Sequence, residues 1–277
     1  MIARILLSAV LLPGFILLFF LPNPVYYALF AAAVLVLGYL EYAGMMRLRG
    51  HRVFPWFGVA WVLVFLLSAF PADRLPAGLE RMPAALNSDG MVPLLLVGLG
   101  LLHLTRPRGE AELPSLMADF FGPFYLAGLG VFLIKLETLP QGGWWTYLLF
   151  YYSWIYDAGA YFVGRTLGRR PLSPFSPNKT LEGVAGGMAA SMLLVFVLVK
   201  PLLPAGFPLG WKALLALAPL TAVLGQAGDL LESMLKRHAG VKDSGILLSR
   251  LGGVLDKTDS PLFIAPLLYF VATHFHA

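Results

Sequence analysis

The stretch WWTYLLFYYSWIYDAGAYF, residues 144–162, decides the fold. Asp157 is its one formal charge, and its length is close to the about 20 residues that cross the hydrocarbon of a bilayer as a helix. A carboxylate at that depth is costly, so Asp157 is expected to face protein, water or a cation rather than lipid. Beside it, Ala158, Gly159 and Ala160 are small enough to let another helix or a ligand approach closely.

Eight further apolar runs surround this one, at approximately Ile5 to Phe20, Tyr26 to Gly44, Trp56 to Phe70, Met91 to Leu104, Leu116 to Ile134, Val184 to Val199, Trp211 to Leu231 and Pro261 to Phe275. A single run suits a buried core helix equally well; nine with little soluble sequence between them do not. The expected fold is therefore all-α, a polytopic transmembrane helical protein with about nine spans. Several runs fall short of a full span as written, so their helices must draw on flanking residues. Ile5 to Phe20 follows Arg4 as a secretory apolar region does, but Pro22-Asn23-Pro24 reads as an interhelical turn and no small-x-small cleavage site follows. The chain divides for description into N-terminal membrane helices, 1–140, and C-terminal helices carrying the polar motifs, 141–277.

Composition agrees. Of 277 residues 58% are apolar and 13% charged, against roughly 25% charged in a soluble domain. The net charge of +5 comes from 20 Lys and Arg against 15 Asp and Glu. Those basic residues lie mostly between apolar runs, which favours lipid headgroups and phosphate ligands over nucleic acid. There is no cysteine, which excludes disulfides, thiolate metal ligands and a cysteine nucleophile.

With the N-terminus in the cytosol, the inner side collects Arg4, Arg47, Arg49, Arg52, Arg106, Arg108, Arg165, Arg169, Arg170, Lys179, Lys236, Arg237, Lys242, Arg250 and Lys257, which is 15 of the 20. Arg74, Arg81, Lys135, Lys200 and Lys212 fall outside. That bias selects the orientation by the positive-inside rule. Trp56, Trp144, Trp145, Trp211 and Phe275 stand at run ends, where interfacial anchors belong.

Polar residues concentrate in two inner stretches, Asp157 to Gly183 and Gly225 to Asp259. In the first, the Ser-Pro pairs at 173–174 and 176–177 set turns. Thr180 is positioned to cap a helix beginning near Leu181, so Lys179 and Thr180 lie at a helix N-terminus, where backbone amides and an ammonium suit a phosphate. In the second, Asp229, Glu232, Ser233 and Lys236 share one helical face by their spacing. Asp256 and Asp259 are three apart after the flexible Gly252-Gly253. Oxygen ligands without thiolates point to magnesium rather than zinc, and carboxylates mixed with Lys and Arg point to a magnesium-phosphate complex. His238 stands alone and reads as an interfacial residue.

These residues resemble the signature of the phosphatidate cytidylyltransferase, or CDP-diacylglycerol synthase, family. The match rests on Ser233, Lys236-Arg237, Lys242-Asp243, Gly245, Gly252-Gly253, Asp256 and Asp259 at family spacing. Upstream, Asp157-Ala-Gly-Ala-Tyr161, Ser176-Pro-Asn-Lys179-Thr180-x-Glu182-Gly183 and Gly228-Asp229 with Glu232-Ser233 look like three further family motifs. The resemblance implies condensation of CTP with phosphatidic acid to CDP-diacylglycerol and pyrophosphate at a bacterial cytoplasmic (inner) membrane. It implies Asp229 and Asp256 as metal ligands, with Asp259 a further candidate, for Mg2+ with K+ beside it. Asp157, Lys179, Asp229, Lys236 and Asp256 are the expected catalytic residues. Ser176, Lys179, Thr180, Glu182, Ser233, Lys236, Arg237, Lys242, Asp243, Arg250 and Lys257 are the expected CTP and phosphate contacts. A two-fold homodimer is the default assembly.

The sequence departs from the family pattern at Ser249-Arg250-Leu251, where Pro-Gly-His is usual, and at Lys257, where the final Asp-Arg-x-Asp has arginine. Arg250 can take over a phosphate contact from the missing imidazole. A related CTP-dependent enzyme acting on another membrane lipid, an ion-coupled transporter built around Asp157, and a catalytically silent scaffold remain as alternative readings, although no internal repeat of the transporter kind is found.

Overall fold

The computed structural model describes residues 13–70, 91–105, 112–245 and 253–276. Residues 13–18 are helical, and eight long helices follow: α1 (Val25–Leu48), α2 (Pro55–Ser68), α3 (Met91–Leu104), α4 (Glu112–Glu137), α5 (Gly142–Leu167), α6 (Leu181–Leu198), α7 (Trp211–Ala239) and α8 (Leu255–His276). Between α5 and α6 lies a two-stranded antiparallel hairpin, β1 (Pro171–Ser173) with β2 (Ser176–Thr180), pairing Pro171 with Thr180 and Ser173 with Ser176. The Ser-Pro turns expected here thus form a small sheet.

Local chemistry sets the helix ends. The expected turn at Pro22-Asn23-Pro24 is present, with Asn23 Oδ1 accepting from the Val25 amide at 3.0 Å. Pro55 opens α2, at a position where its missing N–H costs nothing. Thr180 is the N-cap of α6, its hydroxyl accepting from Gly183 N at 3.1 Å. Gly240 ends α7 with φ +74°, a left-handed conformation that favours glycine.

Among the described residues four helices, α1, α4, α6 and α7, are long and apolar enough to cross a membrane, while α2 and residues 92–104 of α3 are apolar but shorter. The apolar surface faces outward: on α6, Leu193 and Val197 are 70% and 66% exposed. Water does not tolerate such a face and lipid does, so this is an integral membrane protein. Each apolar run within the described residues from Tyr26 onward falls on one helix, Trp56 to Phe70 and Val184 to Val199 passing its end by one or two residues, and α7 continues through the polar turns to Ala239.

Lipid tails are as apolar as leucine, so packing and interhelical hydrogen bonds must hold the helices together. The tyrosines of the α5 stretch supply several: Tyr147 donates to Leu198 O at 2.8 Å, Tyr151 to Ser191 O at 2.7 Å and Tyr152 to Leu214 O at 2.6 Å. Tyr156 donates to Gln226 Oε1 at 3.0 Å. Each such tie is worth about 0.6 to 2 kcal/mol. Around them lies a core of Leu35, Tyr39, Tyr42, Leu126, Trp145 and Leu148, all buried. Helix α4 packs against α1, α2, α3, α5 and α8, and α5 packs chiefly against α6.

The helices alternate in direction. At one end, the ends of α1 and α7 meet through Arg49 and the His238 carbonyl. The end of α3 meets the start of α4 through His103 and Glu112 at 3.2 Å. The end of α7 meets the start of α8 through Lys236 and Asp256. The β1–β2 hairpin joins this same end through Lys179 and Asp229. A second polar anchor there ties α2, α3 and α4: His103 Nε2 lies 3.0 Å from Asp119 Oδ2, and Asp119 accepts from Phe54 N at 2.9 Å.

Candidate active site

Two close helix pairs bring the polar stretches together. Helix α7 approaches α8 so tightly at Gly228 that an added Cβ would overlap the Asp259 carbonyl. Ser260 Oγ donates to Gly225 O at 3.0 Å beside it. Asp229, on α7, therefore lies beside the first turns of α8, which carry Asp256 and Asp259. The hairpin closes over them from the other side, because β2 runs directly into the Thr180 cap of α6.

The result is a cavity of about 570 Å³. Asp157, Ala160, Tyr161, Gly164 and Arg165 line it from α5, and Ser176, Asn178, Lys179 and Thr180 from β2. Gly183 and Val184 come from α6, Gln226 and Asp229 from α7, and Asp256, Asp259 and Ser260 from α8. Four carboxylates thus share one polar chamber with Lys179 and Arg165.

Lys179 Nζ pairs with Asp229 Oδ2 at 2.6 Å, both side chains partly open to the cavity. Lys236 Nζ lies deeper, 2.7 Å from Glu232 Oε2 and 2.6 Å from Asp256 Oδ1. Asp256 Oδ2 accepts from Gly253 N at 2.7 Å, Ser244 Oγ at 3.0 Å and Ser244 N at 3.2 Å. Asp259 is buried and accepts from Ser260 N at 2.7 Å. Gln226, which lines the cavity, has its Nε2 buried without a hydrogen-bond partner among the described residues. That unmet capacity at the edge of a cavity is what a polar ligand can satisfy.

Asp157, Ser176, Lys179, Thr180, Asp229, Asp256 and Asp259, all read from the sequence, line this one chamber. Others stand around it. Glu182 accepts from Arg169 N at 3.0 Å and pairs with Arg170 Nε at 2.9 Å, bracing the root of the hairpin. Arg237 reaches the Phe175 carbonyl at 3.4 Å, tying α7 to the hairpin tip. Ser233 is buried, Lys242, Asp243 and Lys257 are exposed, and none of these four lines the cavity. Arg250, with Ser249 and Leu251, lies outside the described residues.

Asn178, Tyr161 and Gln226 also line the cavity without being among the expected site residues, and polar residues of such ordinary types carry no signal of their own. Glu41 is likewise absent from the expected residues; it is buried in α1 and accepts from the amides that open α8. Here a signal existed: Glu41 interrupts an apolar run just as Asp157 does.

The sequence profile of the cytidylyltransferase family matches residues 2–275. The phosphatidate cytidylyltransferase of Bacillus subtilis is 40% identical over 227 residues, covering 79% of this chain and 78% of that protein. The phosphatidate cytidylyltransferase of a Synechocystis species is 34% identical over 275 residues, covering 88% and 87%. Such agreement extends through the helical scaffold as well as the cavity, and it makes this chain a member of the cytidylyltransferase family.

Proposed function

We propose that the cavity transfers the cytidylyl group of CTP to phosphatidic acid, releasing pyrophosphate and leaving CDP-diacylglycerol in the bilayer. The observation that carries this reading is the gathering of Lys179, Asp229, Asp256 and Asp259 in one chamber at one end of a membrane bundle, in a chain whose relatives are named phosphatidate cytidylyltransferases.

Phosphatidate brings its own nucleophile. The second ionisation of a phosphate monoester lies near about pH 6, so near neutrality an oxygen of the lipid phosphate attacks the α-phosphorus of CTP without a strong protein base. A new P–O bond forms to the lipid phosphate, the bond from the α-phosphorus to its bridging oxygen breaks, and pyrophosphate leaves with that electron pair. Lys179 and Arg165 supply positive charge toward the phosphates. Lys236 orients Asp256 and Glu232 through its two contacts. No covalent enzyme intermediate is required.

The donor set fits Mg2+. All the acidic ligands are hard oxygens, and among the described residues no three His, Asp or Glu side chains form a ready-made cage. That is the pattern expected when Mg2+ is held by one or two carboxylates together with substrate phosphates. Asp229 and Asp256 are the proposed protein ligands, with Asp259 and Asp157 beside them. When bound, the ion neutralises developing charge on the phosphate oxygens.

The active site is assigned to the cytosolic side of the bacterial inner membrane. What supports this is charge: the end bearing the cavity carries Arg47, Arg49, Arg165, Lys179, Lys236 and Arg237, while Lys135, Lys200 and Lys212 stand at helix ends remote from it. CTP is cytosolic and the lipid tails stay in the leaflet, so the two substrates meet at that boundary.

Purified protein in liposomes, given CTP and Mg2+ with either phosphatidate, an ether-linked analogue or a polyprenyl phosphate, tests the substrate. The reading requires pyrophosphate and liponucleotide with phosphatidate. Release with only one of the other lipids contradicts it.

A further inference from the structure

Glu41 belongs to α1, in the half of the chain that supplies no residue assigned above to the chemistry. It is 7% exposed, and its carboxylate is filled with donors from the other half. Oε1 accepts from the Val254 amide at 3.0 Å, and Oε2 accepts from the Leu255 amide at 2.9 Å and from Ser244 Oγ at 3.2 Å. The two amides are among the donors that the start of α8 leaves without intrahelical partners, and a negative charge there is also favoured by the helix dipole.

Asp256 is the next residue, and it holds the same turn from its other side. Ser244 Oγ lies within hydrogen-bond distance of both carboxylates, 3.2 Å from Glu41 Oε2 and 3.0 Å from Asp256 Oδ2. The backbone is shaped around Glu41. A Cβ on Gly245 would overlap Glu41 Oε1, and a Cβ on Gly253 would overlap Ser244 Oγ and come within 2.7 Å of Glu41 Oε2. Two glycines of the C-terminal motif therefore sit where the chain presses closest against one carboxylate from α1.

We infer that Glu41 is a positioning residue of the active site: it fixes Ser244 and the first turn of α8 so that Asp256 meets Lys236 at the cavity wall. This rests on the transfer reaction proposed above. Loss of Glu41 frees the Val254 and Leu255 amides and removes one of the two carboxylates that hold Ser244, and Asp256 then loses its fixed direction.

The test compares wild type, Glu41→Gln and Glu41→Asp in liposomes, with hydrogen exchange followed at the amides of residues 253–256 in the same samples. Glutamine keeps the size but loses charge and one acceptor; aspartate keeps the charge and withdraws it by one methylene. In Glu41→Gln the exchange at 253–256 is expected to quicken. Its kcat is expected to fall about 10- to 100-fold, the usual cost of losing a partner behind a metal-site ligand, and the Mg2+ concentration for half-maximal rate is expected to rise. Glu41→Asp is expected to fall between, and it decides the matter if the glutamine variant does not fold. Wild-type exchange at 253–256 in the folded variant overturns the inference, as does a rate reduced only in proportion to the folded fraction with unchanged Mg2+ dependence. An inactive wild type whose exchange still responds to Glu41→Gln counts against the proposed reaction and not against the anchoring by Glu41.

Discussion

Lys179 Nζ lies 2.6 Å from Asp229 Oδ2, joining the β2 strand to helix α7 at the mouth of the cavity. The pair links the two polar stretches of the sequence, and both partners are open enough to exchange one another for a ligand. Lys179→Met is therefore expected to lower kcat by about 100-fold or more, the scale of losing one aimed positive donor at a developing charge. Its melting temperature should fall only slightly, because an ion pair partly open to water contributes little, about 0 to 1 kcal/mol. Initial rates at saturating CTP beside a thermal melt check both parts, and an unchanged kcat removes Lys179 from the chemistry.

Lys236 differs because one of its partners, Glu232, is buried. Glu232 is 1% exposed and Lys236 Nζ holds it at 2.7 Å. Removing one partner of a buried pair costs about 3 to 5 kcal/mol, since the other charge is left uncompensated. Lys236→Met should lower the melting temperature markedly, and adding Glu232→Gln should recover part of that loss. A Lys236→Met protein as stable as wild type contradicts the burial argument.

Thr180 has two positions to hold, the last residue of β2 and the cap of α6. Thr180→Ala is expected to cost about 1 kcal/mol of stability, and Thr180→Ser to cost little, because the hydroxyl that accepts from Gly183 N remains. Denaturation midpoints of the two variants decide this. Equal losses in both would show that the methyl group, not the cap, is what matters.

Divalent cation removal separates fold from function. The interhelical ties of Tyr147, Tyr151 and Tyr152 and the Lys236 pairs involve protein atoms alone. Chelation should therefore abolish turnover while the melting temperature changes little, and Mg2+ should restore the rate. Full activity in excess chelator would exclude the proposed metal role of Asp229 and Asp256.

Much of the architecture was legible in the sequence because membrane helices leave a strong apolar signal, and Thr180 was legible as a cap because of the helix it precedes. The convergence of Asp157, Lys179, Asp229, Asp256 and Asp259 was legible chiefly through the family motifs that carry them. Helix α7 runs past its apolar segment because Glu232 and Lys236 meet their needs within the bundle, which periodicity alone does not reveal. The β1–β2 hairpin was hidden by its short, proline-bearing strands, whose Ser-Pro pairs read as turns. Glu41 and Asp119 lie in apolar runs far from any motif, and their partners Leu255 and His103 become neighbours only in three dimensions.

Asp229 bounds the chamber proposed to carry out cytidylyl transfer. Wild type and Asp229→Asn, both reconstituted with phosphatidate and Mg2+, would be given CTP labelled at its α-phosphate or at its γ-phosphate. In wild type the α-label is expected to enter the lipid fraction and the γ-label to leave as pyrophosphate, and folded Asp229→Asn is expected to do neither at a comparable rate. Entry of γ-label into lipid, or undiminished α-transfer by Asp229→Asn, would contradict cytidylyl transfer at this chamber.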